Sequence, residues 1–323
     1  MTAPETTGIA SLDRPVCDEM VSLLQRLAPH EGYTQSLLEG VRFMRSDRPL
    51  GRTPVLYEPS IVIVCQGRKR GFLGDAVYVY DPRHYLVLGV PLPFWTETEA
   101  SPANPMLAVS LRLDLTELAT LVLALEDAAA PVPDAADAPQ GIVSTPLEGA
   151  LADATLRLLR ALVSPLEAGL LGPGIVREIY FRALTGSQGG AMCAALTHQG
   201  RFARVARALG RIHTEFSQPL DVSRLAQDAG MSVPAFHANF RAITATSPIQ
   251  YIKSTRLHHA RLMMIREGVT AAAAAASVGY ESASQFSREF KRFFGRPPAE
   301  EAREMRAAFA LSPAATGHAA SPD

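Results

Sequence analysis

Hydrophobic and polar positions along the chain fall into three regimes. Val16, Met20, Leu23, Leu24 and Leu27 recur at three- and four-residue spacing and predict a short helix over 16–27. Between 41 and 114 the rhythm changes. Short β-rich runs at 41–44, 60–65, 76–80, 85–90 and 106–113 are punctuated by the turn pairs Gln66-Gly67, Gly74-Asp75 and Asp81-Pro82. Many short strands with tight turns predict a sandwich or small barrel. From Leu115 the helical period returns, with helices predicted over 115–126, 147–162 and 173–184, the last closed by Gly186, and a further one across 190–216. The Ala-, Pro- and Asp-rich stretch 128–140 reads as a flexible connection, residues 1–13 as a loose terminus, and the last dozen residues as disordered.

The C-terminal third repeats itself. Ala226, Ala229 and Gly230 recur as Ala275, Val278 and Gly279; Ser232, Phe236, Phe240 and Arg241 recur as Ser282, Phe286, Phe290 and Lys291. Each unit reads as helix, tight turn, helix. Small alanines let the two helices approach, Gly230 and Gly279 supply the positive φ that ends the first helix, and Ser232 and Ser282 cap the second. The phenylalanines, four residues apart, bury one face and leave the other open, the layout of a helix-turn-helix whose second helix can enter a DNA major groove. Between the units, 248–266 predicts a connecting helix with Ile249, Ile252, Leu257, Ala260, Leu262, Met263 and Met264 at its apolar positions. Nineteen helical residues span roughly 28 Å, near the roughly 34 Å of one turn of B-DNA. Two recognition helices on one rigid connector are therefore spaced for successive major grooves.

Charge sharpens this picture. The net charge of −1 over 323 residues conceals 15 Lys/Arg against 22 Asp/Glu in residues 1–200, a net −7. Residues 201–310 hold 16 Lys/Arg against 9 Asp/Glu, a net +7. A basic module on an acidic body suits a polyanionic partner. No apolar run approaches the ~18 residues of a membrane helix. Asp13, Asp18 and Glu19 interrupt the place where a signal peptide needs its apolar core. Cys17, Cys65 and Cys193 make neither a metal pattern nor a disulfide framework, so a cytoplasmic location and no membrane partner are expected.

The residues of the repeat resemble a known family. Gly230-Met-Ser232 with Phe236 and Phe240, Ser247-Pro248-Ile-Gln-Tyr251, Arg256-Leu257 and Ala260-Arg261-Leu262 look like the first half of an AraC/XylS-type DNA-binding domain. Val278-Gly-Tyr-Glu-Ser-Ala-Ser-Gln-Phe-Ser-Arg-Glu-Phe-Lys-Arg-Phe-Phe-Gly295, followed by Pro297-Pro298, resembles its second half. Tyr57-Glu-Pro-Ser60, Cys65-Gln-Gly-Arg-Lys69, Gly74-Asp75, Tyr78-Val-Tyr80, His84-Tyr-Leu-Val87 and Arg177-Glu-Ile-Tyr-Phe-Arg-Ala-Leu-Thr-Gly186 are similar to the sensor domain of one AraC-type subgroup.

The resemblance implies an α+β chain: an N-terminal cupin-like β-barrel with helices, then an all-α domain of two helix-turn-helix units joined by a long helix. The expected organisation is an arm and helix (1–30), a sensor barrel with its following helix (31–127), a linker (128–146), a helical region suited to dimerisation (147–200), the DNA-binding domain (201–305) and a disordered tail (306–323). It implies a sequence-specific transcription regulator. The partners would be double-stranded DNA, a small-molecule effector, a second copy of the chain and, on the same footing, RNA polymerase.

Carried over residue by residue, the first recognition helix offers Pro234, His237 and Ala238 to bases and Arg241 to the backbone. Ala238 and Asn239 depart from a pattern often basic or polar here, which leaves His237 as the best base reader of that helix. On the second helix Ser284, Gln285 and Arg288 lie on the open face, with Ser282 and Arg292 placed for phosphates. Gln suits adenine and Arg guanine, so the second unit is expected to carry more of the direct readout. Tyr78, Tyr80, Phe94 and Trp95 are the candidates to line an effector site. Cys65 reads as a buried small hydrophobe, with a thiol sensor as the alternative. Leu151, Leu158, Leu159 and Leu162 form an apolar stripe suited either to dimerisation or to packing on the barrel.

A competing reading is a ligand-binding or catalytic cupin whose basic module mediates protein contacts. Cupin metal chemistry needs several histidines with a carboxylate. His84 is the only His between residues 31 and 197, so no metal, cofactor or enzymatic activity is expected. The duplicated recognition helices argue against the competitor.

Overall fold

The apolar run Ile61-Val-Ile-Val-Cys65 becomes a strand buried on both faces, and this sets the architecture of the N-terminal domain. In a computed structural model, which describes residues 14–128, 141–187, 189 and 201–308, ten antiparallel strands form two sheets. The strands are β1 (Gly32–Gln35), β2 (Val41–Ser46), β3 (Leu50–Tyr57), β4 (Ser60–Gln66), β5 (Arg68–Leu73), β6 (Ala76–Tyr80), β7 (His84–Leu88), β8 (Leu92–Glu99), β9 (Met106–Arg112) and β10 (Ile142–Pro146). The larger sheet has the order β1-β2-β9-β4-β7-β10 and the smaller β3-β8-β5-β6. Val62 and Val64 of β4 face the small sheet, whereas Ile61, Ile63 and Cys65 face a layer of helices. A strand covered on both sides needs no polar alternation, which is why its sequence has none. β8 alternates: Leu92, Phe94, Thr96 and Thr98 are buried in the barrel, and Pro93, Trp95 and Glu97 lie half-buried on the outer face, which the C-terminal domain partly covers. β5 and β6 are joined by Gly74-Asp75, with Gly74 at φ +60°, the positive φ that a two-residue hairpin turn requires there.

The helical layer comprises α1 (Arg14–Leu27), α2 (Leu115–Asp127), α3 (Gly149–Ala161), α4 (Pro165–Leu170) and α5 (Gly172–Thr185). Met20, Leu23 and Leu24 of α1 are buried against α3 and the large sheet, as their spacing predicts. Leu151, Leu158, Leu159 and Leu162 are also buried in this core, so of the two destinations open to that stripe it takes packing within the domain. The linker reading of 128–146 needs correction at its end. Residues 142–146 are β10, paired along its length with β7; residues 129–140 lie outside the described residues, as do 1–13, 190–200 and 309–323. α4 goes unforeseen because it is only six residues long, started by the Ser164 cap and Pro165.

The C-terminal domain follows the repeat closely. Its helices are α6 (Arg201–Glu215), α7 (Val222–Asp228), α8 (Val233–Thr244), α9 (Pro248–Arg266), α10 (Ala271–Ser277), α11 (Ala283–Phe294) and α12 (Pro298–Ala308). Residues 306–308, assigned to the tail from sequence, are instead the end of α12. Gly230 and Gly279 have φ of +62° and +81°. A Cβ on Gly279 would sit 2.3 Å from the Ser217 carbonyl oxygen, so this turn admits no side chain. Gly279→Ala should cost several kcal/mol, about 2–4, from the clash and the left-handed backbone together; a urea melt of the purified variant measures it. Arg256 ties the same turn down, donating to the carbonyls of Phe216 (2.7 Å), Gln218 (2.8 Å) and Gly279 (3.1 Å).

α9 departs from its expected pattern. Ile249 and Leu262 are exposed, while His258 and Arg261 are buried. The helix is enclosed because it meets both repeat units and the outer face of the small sheet. The core of the first unit is continuous with the barrel core; that of the second unit is separate. No helix among the described residues is long and apolar enough to cross a membrane.

Candidate nucleic-acid interface

Each recognition helix is started and oriented by its own sequence. The Ser232 hydroxyl accepts from the Ala235 amide at the start of α8, and the Ser282 hydroxyl accepts from the Gln285 amide (3.2 Å) at the start of α11. Phe236 and Phe240 beneath α8, and Phe286 and Phe290 beneath α11, are fully buried with ring centroids 5.5 and 5.4 Å apart. Burial of these rings fixes the rotation of each helix, so the opposite faces look outward. On α8, Pro234, Ala238 and Arg241 are exposed and His237 is half-buried. Asn239 turns its amide onto the Ala235 carbonyl (2.7 Å) of its own helix. On α11, Ser284, Gln285, Arg288 and Arg292 are exposed, as is the capping Ser282.

These faces carry cations that no carboxylate of the described residues neutralises. Arg211, Arg224, Arg261 and Arg296 are all paired to carboxylates. Among the described residues, the Arg241 and Arg288 side chains make no ion pair. Cations held out without a protein partner are what a phosphate or a guanine edge can use.

Glu289, absent from the sequence-derived site, organises α11 from below. Its carboxylate accepts from Lys253 Nζ (2.8 Å), the Tyr280 hydroxyl (2.8 Å) and Gln285 Nε2 (3.3 Å). Burial pushes its pKa up, but these donors outweigh that and hold it below the usual glutamate value. A carboxylate can only accept, so the Gln285 amide nitrogen must face Glu289 and its Oε1 faces outward. Gln285 thereby presents an acceptor, which suits the adenine or cytosine amino group in the major groove. The sequence signal was available in the pairing of Tyr280 with Glu289, nine residues on, but only the fold joins both to Lys253.

Of the four effector candidates, Tyr80 and Phe94 are buried inside the barrel and Tyr78 is half-buried. Phe94 packs edge-on against Tyr57, ring centroids 5.1 Å apart. Trp95 is the exception: it lies on the outer face of β8, its ring 6.1 Å from Phe293 of α11. The placement corrects its grouping with the other three, since neighbours on a strand point to opposite faces. The barrel interior also holds Lys69, whose ammonium donates to Thr98 Oγ1 (2.9 Å) and whose pKa burial lowers to about 8. Burial pushes the Cys65 thiol up to about 12, which keeps it protonated and unreactive at neutral pH. His84 Nδ1 lies 3.2 Å from Asp81. Among the described residues no group of three or more His, Cys, Asp or Glu is placed to hold a metal ion.

Comparison with known proteins agrees with this geometry. Residues 37–191 match the AraC-type transcriptional regulator N-terminus, and residues 225–315 match a helix-turn-helix domain. The chain belongs to the AraC-type transcriptional regulators. Similar curated proteins include the RCS-specific HTH-type transcriptional activator RclR of Escherichia coli, 38% identical over 85 residues, covering 26% of this chain and 30% of that one. The HTH-type transcriptional regulator AlkR of Acinetobacter baylyi is 32% identical over 94 residues, covering 29% and 31%. The matched part thus spans about a third of these relatives' length. Among solved structures, unsaturated fatty acid bound ToxT from Vibrio cholerae has the same fold, with a TM-score of 0.54 over 84% of this chain and 96% of that one, at 11% identity.

Proposed function

We propose that this AraC-type regulator binds double-stranded DNA specifically, with α8 and α11 in successive major grooves. The duplicated unit carries the reading: two capped helices, each rotated by a buried phenylalanine pair to hold polar and uncompensated basic side chains outward, joined by nineteen residues of α9. α11 makes most of the base contacts, through Ser284, Gln285 and Arg288. Ser282, Arg292 and Arg241 meet phosphates, which position the protein without specifying sequence. His237 is the principal base reader of α8.

The barrel is the seat of a small effector, reached through Tyr78, Tyr80 and Phe94. Its mixed interior, apolar with one buried ammonium at Lys69, supports a ligand with an apolar body and an acceptor or anionic end. The fatty acid on the ToxT neighbour is of that kind. The same reading places the protein in the cytoplasm, gives it no catalytic role, and allows a contact with RNA polymerase.

A homodimer would use the ridge of Val163, Leu166, Leu170 and Leu171, which stand exposed between α3 and α5. Leu166→Glu with Leu170→Glu should halve the mass seen by sedimentation; an unchanged mass would place the dimer contact elsewhere.

Titrating full-length protein onto a duplex from its own upstream region, at several salt concentrations, tests the reading. Specific binding that falls steeply with salt, yet stays well above that to a scrambled duplex, is expected. Equal binding to both duplexes in the presence and absence of oleate would refute it.

A further inference from the structure

Three histidines meet where the DNA-binding domain docks on the barrel. α9 and α11 lie against β3 and β8 of the small sheet. Arg261 Nη1 donates to the Pro54 carbonyl (3.2 Å), and the Tyr251 hydroxyl donates to the Pro91 carbonyl (2.5 Å). Trp95 faces Phe293 across the same seam.

His258 is buried, its ring edge-on to Phe293 (5.4 Å) and Phe294 (5.3 Å). His259 stacks flat on Phe216 at 4.0 Å. His213 lies 6.4 Å from His259 and bonds Tyr251 (2.7 Å). Because the Tyr251 proton is committed to Pro91, His213 Nε2 must be the donor in that bond. Nε2 of His258 and of His259 are buried with no hydrogen-bond partner. A neutral imidazole tolerates such a place; an imidazolium does not.

The charges around the cluster are mostly unfavourable to protonation. Arg261, next on α9, opposes charge on His258, and its own carboxylate, Glu301 of α12, is already engaged at 2.5 Å. The histidines oppose one another. Among the described residues, Glu58, in the turn between β3 and β4, favours charge on His259.

We propose that this seam is an acid-operated latch: protonation of His213, His258 and His259 undocks α9 and α11 from the barrel and frees the recognition helices to adjust their spacing. Burial holds all three histidines below the ordinary value of 6.5, His213 at about 4. His258 packs on Phe293, which itself faces Trp95 across the seam, and His259 faces Glu58 of the barrel, so undocking uncovers this side of the cluster. A depressed histidine pKa means that docking is fully favoured above about pH 6.5 and weakens as pH falls below it. Each such histidine raises the opening constant about tenfold per pH unit in that window, so the three together give a steep response.

Trp95 is the single tryptophan of the chain and sits in the seam, so its emission reports the latch directly. With the full-length protein, tryptophan emission should shift to the red between pH 6.5 and 5, while the far-ultraviolet helical signal persists. In His258→Phe with His259→Phe, whose rings keep the aromatic contacts, the shift should move down by at least a pH unit. Each single variant should remove about one proton from the slope, a measure that survives if the double variant folds poorly. Constant emission down to pH 5, a shift that accompanies loss of helix, or a shift the variants leave unchanged would each overturn the proposal.

Discussion

Gln285→Ala combined with Arg288→Ala should abolish discrimination at the bases under α11 while leaving general DNA affinity largely in place. Each good base contact is worth about 1–3 kcal/mol of discrimination, so losing two should cut the ratio of specific to nonspecific affinity by roughly 30-fold to 10⁴-fold. The structural ground is that both side chains are exposed on the face opposite Phe286 and Phe290, Arg288 without an ion partner and Gln285 with its amide turned inward onto Glu289. Arg292→Ala should behave differently: a weakening uniform across sequences, with a shallower salt dependence by about one ion. Competition binding against a panel of single-base operator variants separates the two behaviours. An intact base preference in the double variant would move direct readout to α8 or to DNA shape.

The second large effect concerns stability and is local. Phe290 is fully buried, 5.4 Å from Phe286 and 4.4 Å from Phe294 by ring centroids. Phe290→Ala should cost about 3–5 kcal/mol through lost transfer energy and the cavity left behind. The core of the second unit is separate from the one that the first unit shares with the barrel. Hydrogen exchange should therefore accelerate across α10, α11 and α12, while β4, β9 and α7 keep their protection. Phe240→Ala, in the shared core, should instead loosen the first unit and the adjoining barrel together. Uniform loss of protection in the Phe290 variant would mean that the two cores are energetically one.

What could be read from sequence divides along physical lines. The repeat was legible because its determinants are local: a glycine at positive φ, a serine cap, two phenylalanines one helical turn apart. Pro248–Arg266 even begins and ends as expected, since Ser247 and Pro248 mark its start unambiguously. The strands with clean β-branched runs were legible too. β3, β5 and β8 were not, because Pro54, Pro93 and the Arg68-Lys-Arg70 cluster obscure strand character that tertiary pairing imposes. β10 was lost inside a composition-based linker. The open faces of α8 and α11 followed from the spacing of their phenylalanines, and the contact positions on them from the family resemblance, whereas Glu289 and Lys253 entered the site only through the packing of α11 beside α9. Least legible was the seam. His258 and Arg261 lie where a lone amphipathic helix would be solvated, and nothing local says that α11 covers the first and that α11, α12 and β3 together cover the second.

The central claim is that two helices read one face of DNA a helical turn apart. Selection of bound duplexes from a random pool with the full-length chain, followed by hydroxyl-radical footprinting of the winner, tests it most directly. The account predicts two protected segments on one face, centred about 10–10.5 base pairs apart, with sharper base preference under α11 than under α8. A pool that yields no consensus, or a site protected over a single groove, would contradict it.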